Sequence, residues 1–107
     1  MSNQDLPLQM QAVEICTDAQ KPYLALGKVD VPEIGSEDVL VAVRASGVNR
    51  PDLMQVAGMY PPPPGASDIP GLELAGEIIK IGANVSEWKV GDQVCALVTG
   101  GGYAQYA

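Results

Sequence analysis

Between Gly47 and Gly65 the chain reads GVNRPDLMQVAGMYPPPPG, and Tyr60 is the side chain in it that most invites a chemical role. A phenol keeps its proton at neutral pH, donates it in a hydrogen bond and offers a flat face for stacking. Tyr60 stands before four consecutive prolines, Pro61 to Pro64. Prolines fix φ and bias the residue before them towards extended backbone, so this loop is stiff and orders at little entropic cost. A side chain at its start can be held in one place, which serves recognition or catalysis. A tyrosine that only covers the preceding helix and the ring of Pro61 fits the same residues, and both readings stay open.

These residues need a frame. Asn49 or Arg50 is the expected N-cap of a helix about two turns long, with Pro51 in the first turn and Asp52 near the positive end of the helix dipole. Leu53, Val56 and Ala57 make an apolar stripe at helical spacing, and Gly58 supplies a stop. So short a helix does not hold alone in water and must be pinned on strands. The expected strands are Met10 to Cys16, Val39 to Ala45, Leu74 to Ile81 and Gln93 to Val98, with an edge strand at Leu24 to Val31. Nine prolines and twelve glycines leave little room for long helices. Several short strands at close spacing predict a mainly β fold with short helices, as a small barrel or sandwich.

The 107 residues make one domain the default. Six basic against thirteen acidic side chains give a formal charge of -7, which argues against nucleic acid or an anionic membrane as partner. No apolar run approaches the ~20 residues that span a bilayer. The opening MSNQDLPLQMQ lacks the basic and apolar parts of a signal peptide, so a cytoplasmic location is expected. Cys16 and Cys95 each lie in an apolar stretch and read as buried free thiols. The chain has no histidine, the commonest metal ligand and general base, and with two cysteines a zinc site is not expected. Asn84-Val85-Ser86 reads as a surface turn, Trp88 as a cover over a barrel edge, and Gly91-Asp92 as a tight turn feeding a strand. Gly100 to Gly102 lack the surroundings of a phosphate-binding loop and read as a flexible link.

The segments GVNRPDLMQVAGMYPPPPGASDIPGLELAGEI, GANVSEWKVGDQVCAL and GGGYAQYA follow one another at characteristic intervals. On these motifs the chain from Glu37 to Ala107 resembles the GroES-like catalytic domain of the medium-chain dehydrogenase/reductase superfamily. Within it the chain is most similar to the zinc-free NADPH:quinone oxidoreductases, in particular the p53-inducible branch. LQMQAVEI and LALGKVDVPEIGSEDVLVAV look like the opening strands of that domain. Where the zinc enzymes of the superfamily carry a metal-binding cysteine after Gly-Val, this chain has Asn49; where they carry Gly-His-Glu, it has Gly71-Leu72-Glu73. Neither Asn49 nor Leu72 suits zinc, and the cysteine-rich lobe of those enzymes is missing too.

The resemblance implies a partly open GroES-like β-barrel, NADPH as cofactor, no metal, and a quinone or related enone as the small carbonyl substrate. Quinones accept hydride readily, so positioning against the nicotinamide with a modest donor replaces the polarising metal. By resemblance, Asn49 and Tyr60 line the cleft beside the nicotinamide. Asn49 then orients cofactor and substrate, and Tyr60 donates a hydrogen bond to the quinone or its reduced oxygen. Asp52 is a third catalytic candidate or a stabiliser of the helix start, with Arg50 beside it. Hydride transfer in this family also needs a Rossmann domain, whose glycine-rich turn is not in the sequence. The 107 residues therefore read as a truncated catalytic domain, inactive alone and prone to self-association or homodimer formation through exposed strand edges. The alternative is a stand-alone GroES-like interaction module or a regulatory fragment that binds the full enzyme; the chain lacks the long polar loop that partner capture would call for.

Overall fold

A computed structural model describes residues 6–59 and 61–107. Strands β1 (Gln9–Asp18) and β2 (Lys21–Asp30) pair antiparallel as a hairpin, with Asp18 opposite Lys21. The two connecting residues, Ala19 and Gln20, both have positive φ, 49° and 68°. That is the backbone of a primed hairpin turn, which favours Asn-Gly. Because Ala-Gln carries no turn signal, both strands run further towards the connection than the sequence suggests.

Strands β3 (Val39–Ser46), β4 (Glu73–Ile81) and β5 (Gln93–Leu97) form a second antiparallel sheet with β4 in the middle. Val41, Leu74 and Ile78 make its buried core. The apolar runs noted in the sequence supply these positions, and the three expected strands of this sheet end within about a residue of the observed ones. Gly76 is needed where β3 crosses close: a Cβ there would meet the Ala42 carbonyl oxygen at 2.2 Å.

The two sheets are joined by residues 103–107. On one side, the Val13 N–H donates to the Tyr103 carbonyl at 2.8 Å and the Gln105 N–H donates to the Gln11 carbonyl at 3.1 Å. On the other, Val43 donates to Gln105 at 2.8 Å, while Val41 and Ala107 exchange backbone bonds of 2.8 and 3.0 Å. The spatial order is β2-β1-(103–107)-β3-β4-β5, mainly β with one short helix among the described residues and without barrel closure; the mainly β class was expected from the strand spacing, and the open form from the resemblance.

Helix α1 (Arg50–Val56) begins at the N-cap Asn49, has Pro51 in its first turn, and gives way at Gly58, whose φ is 79°. Its buried face is not the expected apolar stripe. Leu53 is 68 % exposed and Ala57 is exposed, whereas Asp52 and Gln55 are buried. The helix is pinned through polar contacts instead: Asp52 turns back to the N-cap, and the Gln55 Nε2 donates to the Asp68 carbonyl at 3.3 Å.

Three other expectations are corrected or refined. Cys16 and Cys95 are free as expected, but Cys16 is half-buried and Cys95 exposed, because the alternation of β5 turns Cys95 outwards. Gly100 to Gly102 are not a flexible link. Gly101 and Gly102 donate to the carbonyls of Ile69 and Gly71 at 2.7 and 3.0 Å, and Gly102 is buried. Trp88 is half-exposed and lines one hollow together with Pro32 and Ile34. Among the described residues no helix is long and apolar enough to cross a membrane.

Candidate functional site

The site forms where the end of β3, the start of α1, the start of β4 and the strap at 103–107, with Gly102 before it, converge. Asn49 has extended backbone, φ -130° and ψ 155°, as an N-cap requires. Its N–H donates to Asp52 Oδ2 at 2.9 Å, and the Asp52 N–H donates back to the Asn49 carbonyl at 3.0 Å. Asn49 and Asp52 thus have the capping-box arrangement, although the reciprocal contact from the Asn49 side chain is too loose to be a hydrogen bond. The Asn49 amide is used elsewhere, its Nδ2 donating to Glu73 Oε1 at 3.2 Å.

Asp52 is 5 % exposed. Besides the Asn49 N–H, its Oδ2 accepts the Tyr103 phenol at 2.5 Å. Its Oδ1 is buried with no protein partner. The Tyr103 hydroxyl also lies 3.1 Å from the Gly47 carbonyl, and Ser46 Oγ donates to the Gly102 carbonyl at 2.6 Å. Burial, then the hydrogen bond to Asp52 and the nearby carboxylate charge, push the Tyr103 phenol up to about 12. It therefore stays protonated through the physiological range and serves as a fixed donor.

Of the residues singled out in the sequence, Asn49 and Asp52 are brought into direct contact. Arg50 is exposed on the helix surface. Tyr60 lies outside the described residues. On the hairpin side of the loop that follows it, Pro61, Pro62, Gln55, Asp68 and Ile69 line a hollow of about 720 Å³. Two partners of the site were missed by sequence reasoning, Glu73 and Tyr103. Glu73 had a signal, since it keeps the acidic position of the Gly-Leu-Glu triplet; Tyr103 stood in the GGGYAQYA motif with nothing to show that its hydroxyl reaches α1. Among the described residues no group of three or more potential metal-ligating side chains converges.

The comparisons with known proteins agree with this architecture. Residues 35–107 match the family model of the alcohol dehydrogenase GroES-like domain. The chain is 42 % identical over 100 residues to a quinone oxidoreductase of Lama guanicoe, covering 92 % of this chain and 30 % of that protein. It is 32 % identical over 92 residues to a quinone oxidoreductase-like protein 2 homolog of Nematostella vectensis, covering 85 % of this chain and 25 % of that one. A probable oxidoreductase from Mycobacterium abscessus superposes with a TM-score of 0.76 at 32 % identity, over 92 % of this chain and 31 % of the other. The chain thus spans between a quarter and a third of the length of these relatives. From the family match and these relatives, the chain belongs to the alcohol dehydrogenase GroES-like domain family, in the quinone oxidoreductase branch of the medium-chain dehydrogenase/reductase superfamily.

Proposed function

We propose that this chain is the catalytic-domain portion of an NADPH-dependent, zinc-free quinone oxidoreductase, with related enones as further substrates. The observation that carries this reading is the hydrogen-bonded cap at Asn49, whose amide is committed to Glu73. By resemblance, Asn49 stands where the zinc enzymes place a cysteine and Leu72 where they place a histidine. A carboxamide and an aliphatic side chain do not make a zinc site.

The donor set fits the nicotinamide end of a dinucleotide better than its phosphates. Asp52 and Glu73 are acidic, and a carboxylate beside a phosphate is repulsive, whereas a nicotinamide is neutral or cationic. NADPH, when bound, supplies the hydride. Asn49 orients the ring and the acceptor, its carboxamide retaining hydrogen-bonding capacity beyond the bond to Glu73. Tyr60 donates to the acceptor oxygen as it gains charge. Asp52 holds the helix start, and its catalytic role is confined to keeping Asn49 in place. The phosphates need a glycine-rich turn on a separate Rossmann domain, so the 107-residue chain alone does not turn over quinone.

The test is steady-state reduction of several quinones in a longer protein that joins this chain to a nucleotide-binding domain. Asn49→Ala and Tyr60→Phe are expected to lower kcat/KM by about 10- to 100-fold. Unchanged kcat/KM in both variants across the quinones would overturn the site assignment. Repurified 107-residue chain that oxidises NADPH in proportion to its concentration would overturn the inactivity of the isolated domain.

A further inference from the structure

We infer that Tyr103 and Glu73 are positioning residues for Asn49: the Tyr103 phenol fixes its backbone through Asp52, and the Glu73 carboxylate sets the direction of its carboxamide. The geometry of Asn49 is over-determined. Its N–H is tied to Asp52 Oδ2, its Nδ2 to Glu73 Oε1, and the Asp52 oxygen that holds it is held in turn by Tyr103.

A buried carboxylate keeps its orientation only while its donors last, because an unpaired buried oxygen is costly. Asp52 Oδ1 has no protein partner, so Oδ2 carries the group with two donors, the Asn49 N–H and the Tyr103 phenol. Without the phenol only the bond to Asn49 remains. The carboxylate then turns or draws in water, and the extended backbone at Asn49 loses its anchor.

Glu73 acts on the other end of Asn49. An ionised carboxylate only accepts, so it selects the amino side of the amide and removes the ambiguity of which way an asparagine faces. The carboxylate lies over Gly47: a Cβ there would meet Glu73 Oε1 at 2.2 Å and push it aside. Glycine at position 47 therefore clears the space in which the carboxylate reaches Asn49. Only the consequence for turnover rests on the reading that Asn49 faces the nicotinamide.

The experiment is an amide proton–nitrogen correlation spectrum of the 107-residue chain and its variants. In Tyr103→Phe the Asn49 backbone amide is expected to shift and to exchange with solvent about 10-fold faster. The Val13 amide, bonded to the Tyr103 carbonyl, stays in place. Glu73→Ala and Gly47→Ala are expected to shift the Asn49 side-chain amide pair, and Glu73→Gln, whose amide oxygen still accepts, returns it towards its original position. Asn49 signals that stay put in both Tyr103→Phe and Glu73→Ala would overturn the inference. So would a Tyr103→Phe spectrum in which Val13 moves as much as Asn49, since that is general loosening. If the signals move as expected while Asn49→Ala leaves turnover in the longer protein intact, the positioning stands and the cleft reading of Asn49 falls.

Discussion

The phenol of Tyr103 has a proton whose loss the folded chain resists, since its pKa rises from 10.0 to about 12. A folded-state pKa above the unfolded one means that the contribution is complete below pH 10 and disappears as pH rises towards 12. Denaturant titrations are therefore expected to show stability falling across that alkaline window, with Tyr103→Phe flattening the fall. An equally steep fall in Tyr103→Phe would assign it to other groups. Residue chemistry was partly legible in the sequence. Asn49 and Asp52 were readable because a cap and the third residue of its helix are three apart and obey a local rule. The Tyr103 contact was not, because its partner is 51 residues away and only the folded strap brings the two together.

At the scale of elements, the strands were legible wherever β-branched residues met a turn signal, and their ends were lost where the turn residues were atypical. Ala19 and Gln20 hold left-handed backbone that L side chains disfavour by roughly 1 kcal/mol or more each. Replacing the pair by Asn-Gly is expected to raise unfolding stability by about 1 kcal/mol, read as a higher denaturant midpoint at unchanged slope. Helix α1 was legible in its cap and its stop and misread on its face. A stripe of Leu53, Val56 and Ala57 follows the periodicity rule, but burial of Asp52 and Gln55 is decided by partners in the 67–69 loop and in the strap, which periodicity does not contain. The strap is held close by Gly71, whose φ is 108° and whose added Cβ would meet the Tyr103 nitrogen at 2.5 Å. Gly71→Ala is expected to destabilise the chain by about 3 kcal/mol, through a strained φ and a backbone clash together, and calorimetry would show it as a lowered Tm.

For the whole molecule, the mainly β class was readable from composition and spacing, but the joining of two sheets through 103–107 was not, because a five-residue segment following three glycines has no strand signature. The completed sheet leaves the outer edges of β2 and β5 unpaired among the described residues. Leu26 is 73 % and Leu97 84 % exposed on these edge strands. Edges of this kind promote association between copies, so sedimentation of the isolated chain is expected to show species larger than a monomer at high concentration. Leu26→Lys together with Leu97→Lys should shift the distribution towards the monomer, and an unchanged distribution would place the contact elsewhere.

The strap also governs the order in which the molecule can be assembled. It is the innermost strand in space, flanked by β1 and β3, yet it is synthesised after every strand it joins. The hairpin and the three-stranded sheet can each form as they emerge, whereas the backbone bonds that bridge them come with 103–107. Closure therefore waits on contacts far apart in sequence, which makes it slow. Gln105, whose backbone bonds to β1 on one side and β3 on the other, is where that last step is concentrated. Until the strap is in place, Tyr103 has not reached Asp52, so maturation of the candidate site waits on the joining of the two sheets.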